Sequence, residues 1–81
     1  MNKNTFWNKI SESFSLAKNG EIWLYYGCLA YENERDQEII INYKEFGYDA
    51  DSLWEELNQF EKNNLIEIID TNNLSYIIIK K

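Results

Sequence analysis

The segment EIWLYYGCLAY, residues 21–31, decides how this chain folds. Ile22, Tyr25, Tyr26 and Leu29 recur at helical spacing, while Trp23 and Leu24 make the segment apolar nearly all round. An all-apolar helix belongs at the centre of a domain. The same residues also suit a strand, since Tyr, Trp and Ile favour extended chain and Gly27 weakens a helix. The helical reading is adopted here, with the strand as its alternative. Cys28 lies inside this apolar stretch and is expected to be a small core residue.

On the N-terminal side, Phe6, Ile10 and Phe14 are spaced by four, with Trp7 and Ala17 beside them, as on one face of a helix. Asn19-Gly20 supplies the stop, because both residue types accept positive φ. On the C-terminal side, EIII at 38–41 is too short and too β-branched for a helix and predicts a brief strand. NYKEFG follows as a short helix closed by Gly47. DADSLWEELNQFEKNNL, at 49–65, then reads as a longer helix, with a Ser52/Glu55 capping box at its start. Leu53, Leu57 and Phe60, with Trp54 at the margin, form its buried stripe, and Asn63-Asn64 forms its exit. LIEII and LSYIIIK, separated by DTNN at 70–73, predict a β-hairpin.

The stretch LNQFEKNNLIEI at 57–68 resembles the pattern L-x-x-[LF]-E-x-x-x-L-I, which closes the recognition helix and opens the wing in winged helix-turn-helix domains. The likeness runs from Ile22 onward and is nearest to the winged-helix domains of phage and plasmid replication-initiator and replisome-organiser proteins. It implies one α+β domain over residues 1–81: an N-terminal helix, a three-helix core with a short strand, and a C-terminal hairpin wing. It also implies that Asp49, Asp51, Ser52, Glu55, Glu56 and Gln59 face the major groove of DNA, with Asp70 to Asn73 at the wing tip.

Charge opposes that implied use. From Asp49 to Leu65 there are five acids and one lysine, and the whole chain has 14 acids against 8 bases, a net charge of −6. Phosphate neutralisation supplies much of the affinity for DNA, so a carboxylate-rich reading helix is costly. Asp49 and Asp51 have a simpler use as helix caps that favour the dipole, and Glu55, Glu56 and Glu61 can serve as a solvated face. The expected function is therefore protein–protein interaction. Tyr48, Asp49, Asp51, Trp54, Glu55, Glu56 and Gln59 would engage a basic, nucleic-acid-binding surface of a host protein. In this the chain is similar to small acidic inhibitors of phages and mobile elements. The alternative is a dimeric DNA-binding regulator or replication or partition factor that uses Lys44, Ser52, Gln59, Lys62 and Lys80.

Catalysis has little to draw on. The chain has no His, one Cys and no glycine-rich loop, so a Ser-His-Asp triad, a Cys/His zinc site and a phosphate cradle are all excluded. Glu32, Glu34 and Asp36 alternate like the start of a calcium loop. Gln37 stands where that loop needs glycine, however, and Tyr43 where it needs glutamate. No enzyme activity, cofactor or metal is expected. A single cysteine fits a reducing compartment, and MNKNTFWNKI lacks the apolar core of a signal peptide. The expectation is a cytoplasmic protein without a membrane partner.

Overall fold

Residues 21–31 form two strands and not a helix. In the computed structural model, which describes residues 3–70 and 76–81, β1 (Glu21–Tyr25) and β2 (Cys28–Glu32) pair antiparallel, Trp23 opposite Ala30. The two residues between them, Tyr26 and Gly27, both have positive φ, +47° and +78°. That is the pattern of a type I′ hairpin turn, whose twist matches the flanking strands. The segment is apolar all round because both faces of the sheet are apolar along it. Ile22 and Leu24 point to one side, Trp23 and Tyr25 to the other.

The remaining elements are α1 (Lys3–Leu16), β3 (Glu38–Ile40), a 3-10 turn (Tyr43–Phe46), α2 (Ala50–Lys62), β4 (Glu67–Asp70) and β5 (Tyr76–Lys80). The strands form one antiparallel sheet in the order β3-β2-β1-β5-β4. This overturns the winged-helix expectation. Among the described residues there are two α-helices on a five-stranded sheet, where a three-helix core with a projecting wing was expected. The C-terminal hairpin exists, but β5 pairs along its whole length with β1, from Glu21–Lys80 to Tyr25–Tyr76. Its strands are thus an interior strand and an edge strand of the main sheet. Of the expected wing tip, Asp70 ends β4, and residues 71–73 lie outside the described residues.

Both helices cover the same side of the sheet. Phe6, Ile10 and Phe14 of α1 and Leu53, Leu57 and Phe60 of α2 share one buried cluster with Ile22, Leu29, Tyr31 and Ile79. The intervening strand residues (Trp23, Ala30, Ile40, Ile69 and Ile78) point away from the helices, so neither helix covers that face, although Ala30 on it has no exposed surface. The short edge strand β4 is blunted from the helix layer, because its Ile68 N–H donates to the Glu61 carboxylate at 2.8 Å.

Two local expectations need correction. Cys28 is exposed at the start of β2 rather than a core residue. The α2 cap is built from Asp49 and not from the Ser52/Glu55 pair: the Asp49 carboxylate accepts from the Ser52 N–H at 2.8 Å, and Ser52 Oγ accepts from the Asp49 N–H at 2.9 Å. Among the described residues no helix is long and apolar enough to cross a membrane.

Candidate interaction surface on helix α2

Glu55 takes no part in the cap, which leaves it for the outer face of α2. Ser52, Glu55, Glu56 and Gln59 follow the i, i+3, i+4, i+7 spacing that aligns side chains along one side of a helix. Together with Tyr48 and Asn58 they line an open groove of about 450 Å³. None of the lining residues is basic.

Tyr48 is brought there by the backbone. Gly47, at φ +88°, closes the 3-10 turn in a left-handed conformation. The Tyr48 ring then lies 4.6 Å from that of Phe6, centroid to centroid, and its hydroxyl donates to Glu56 Oε2 at 2.7 Å. Glu56 is only 7% exposed. Burying an ionised carboxylate is tolerable only with such partners, so the Tyr48–Glu56 bond fixes the floor of the groove. Burial first, and the Glu56 carboxylate second, push the Tyr48 phenol up from 10.0 to about 12.

A raised phenol value means that this contribution to stability is complete below pH 10 and is lost as the pH rises through about 12. Tyr48→Phe should remove that part of the alkaline dependence. It also leaves the buried Glu56 short of a donor, at a cost of about 1–3 kcal/mol at pH 7. Denaturant unfolding at neutral pH, with phenol absorbance followed during an alkaline titration, measures both effects. An unchanged midpoint at pH 7 would mean that water replaces the hydroxyl without loss.

The groove gathers Tyr48, Ser52, Glu55, Glu56 and Gln59 from the sequence-based candidates and leaves out Asp49, Asp51 and Trp54. Asp49 is occupied by the cap: hydrogen bonds from Ser52, its backbone amide first and its side chain second, hold the carboxyl below the usual carboxylate value. Asp51 is exposed in the first turn. Trp54 is 39% exposed, so it does not complete the buried stripe, and its carbonyl accepts from the Asn58 amide at 2.9 Å. Asn58 was not among the candidates, since an isolated Asn on a helix gives no signal in sequence.

The lysines of the DNA-binding alternative do not converge through any one element. Lys44 is in the 3-10 turn, Lys62 in the last turn of α2, and Lys80 in β5, 3.4 Å from Glu21. Lys9 and Lys18 pair with Glu12 and Asp36. The calcium-like loop is organised by Asn33, whose side-chain oxygen accepts from the Arg35 and Gln37 amides. Among the described residues no group of three or more His, Cys, Asp or Glu side chains is placed to hold a metal.

No protein-family model matches this chain, and neither a curated protein nor a solved structure matches it.

Proposed function

We propose that the protein works by binding another protein, and that the groove on α2 receives a basic surface of that partner. The observation that carries this reading is the groove itself: the Glu55 and Glu56 carboxylates, with Tyr48, Ser52 and Gln59, share one depression that contains no cation. A lysine- or arginine-rich partner gains charge-assisted hydrogen bonds there, and the net charge of −6 speeds the encounter. Among partners of that chemistry, the nucleic-acid-binding surface of a host protein is the best match, which would make the chain a small inhibitor of the kind phages and mobile elements use. No observation favours the DNA-binding alternative, whose premise was a recognition helix.

The test compares the wild-type chain with a Glu55→Lys/Gln59→Lys variant, each immobilised and exposed to host lysate over a range of salt. A basic protein retained by the wild type at about 50 mM salt, released as salt rises and ignored by the variant, is the expected result. Equal retention by both chains would overturn the proposal. So would tight, salt-sensitive binding of random duplex DNA by the wild type.

A further inference from the structure

The uncovered face of the sheet is organised in rows. Ile69, Ile78, Trp23, Ala30 and Ile40, one from each strand, lie in register from one edge to the other. At about 4.8 Å per strand the row runs for about 19 Å; Ala30 within it has no exposed surface, so its accessible apolar area comes from Ile69, Ile78, Trp23 and Ile40. Along one margin are Glu67, Lys80 and Glu21 in register, and Glu32 opposite Glu38. Along the other margin are Tyr76, Tyr25 and Cys28.

The acidic margin is unbalanced. It holds four carboxylates and one ammonium, Lys80, which is engaged by Glu21; the Lys18 ammonium, which also interacts with Glu32, is engaged by Asp36. Glu32 and Glu38 face each other directly across β2 and β3, an arrangement of like charges that destabilises a sheet. Glu38 accepts from the Tyr25 hydroxyl, reaching across β2 on this face, which relieves part of that cost without adding a cation. Ile40 at the end of the row is 55% exposed. An apolar row bordered on one side by surplus negative charge selects against anionic ligands. It also disfavours a second copy of this chain, which brings the same acidic margin and a net charge of −6.

We infer that the open sheet face is a second docking surface, and that its occupant is a cationic amphipathic helix of a partner protein. The apolar stripe of that helix covers the Ile69–Ile40 row, and lysines or arginines along one flank meet Glu21, Glu32, Glu38 and Glu67. A helix of about 13 residues spans the row at 1.5 Å per residue. The surface lies on the side of the sheet opposite α2 and does not rest on the reading of the α2 groove.

The probe is a 14-residue amphipathic peptide of leucine and lysine, titrated into the ¹⁵N-labelled chain and followed by amide and indole resonances. Shifts are expected at the Trp23 indole and at the Ile40, Ile69 and Ile78 amides. Glu38→Lys combined with Glu67→Lys, both exposed positions, should weaken binding about tenfold, since each reversal removes one ion pair to the peptide and adds a like charge. Glu12→Lys, an equivalent charge reversal at an exposed position of α1, should leave binding unchanged. Shifts confined to residues 52–59 would overturn this inference and leave the α2 proposal standing. It is equally overturned if the double reversal has no effect, or if the free chain self-associates through the same face.

Discussion

Phe6→Ala is expected to cost about 3–5 kcal/mol, the range for removing a fully buried phenylalanine. Phe6 has no exposed surface, and its ring lies 5.4 Å from Phe46, 4.6 Å from Tyr48 and 6.2 Å from Phe60, centroid to centroid. One side chain thus joins α1 to the 3-10 turn, to the loop before α2 and to α2 itself. A domain of this size has a total stability of roughly 4–12 kcal/mol, so the loss is a large fraction of it. Thermal unfolding followed by circular dichroism should show a midpoint roughly 15 °C lower or more. Leu16→Ala, at the exposed end of the same helix, should stay within about 0.5 kcal/mol. The Phe6 cavity also removes the support beneath Tyr48, so the groove on α2 should lose definition in this variant even where the chain remains folded.

A second pair of substitutions tests the two faces of the sheet against each other. Ile79 and Ile78 are neighbours in β5, yet Ile79 is 1% exposed beneath the helices while Ile78 lies on the open face. Ile79→Lys places an ammonium among the apolar side chains beneath the helices, a cost of several kcal/mol that should abolish cooperative unfolding at neutral pH. Ile78→Lys should fold, with its ammonium able to reach the neighbouring carboxylates. Urea denaturation separates the two outcomes. Comparable stability for both variants would mean that the sheet does not have the sidedness described here.

The parts of the fold that were legible in sequence are those with one strong period. Phe6, Ile10 and Phe14 announced α1, Leu53, Leu57 and Phe60 announced α2, and the β-branched runs near the C-terminus announced β4 and β5. What misled was residues 21–31. A half-buried strand normally alternates apolar and polar residues, but here Trp23 and Tyr25 occupy the outward positions, so the alternation disappears. The turn was hidden as well, because Tyr26 is not a residue expected at positive φ, and Gly27 by itself looked like a weak point in a helix. Once those residues became a helix, the remaining elements fitted a winged-helix order. The C-terminal hairpin then had no reason to pair with anything N-terminal.

The groove was legible in part for a different reason. Glu55, Glu56 and Gln59 stand out by charge and by helical position, and Tyr48 as an aromatic of the kind favoured at interfaces; those properties survive a change of fold as long as α2 remains a surface helix. Asp49 and Trp54 lie outside the groove. Distinguishing Asp49 from Ser52 as the cap required knowing where α2 begins, and the exposure of Trp54 depends on how α2 is rolled against the sheet. The acidic margin of the open face could not be seen in sequence, because Glu21, Glu32, Glu38 and Glu67 meet only through strand order.

The position of β5 between β1 and β4 has a consequence for how the protein is made. During translation the β1–β2–β3 meander leaves the ribosome before residues 76–80, which must slot in between β1 and β4. Until they do, β1 offers an unpaired backbone edge and β4 has no neighbouring strand, and both are open to pairing with other nascent chains. Such late closure between distant segments slows folding. In the cell, newly made chains should therefore depend on chaperone shielding during that interval, and ribosome stalling upstream of β5 should release protein prone to aggregate rather than a partly working domain.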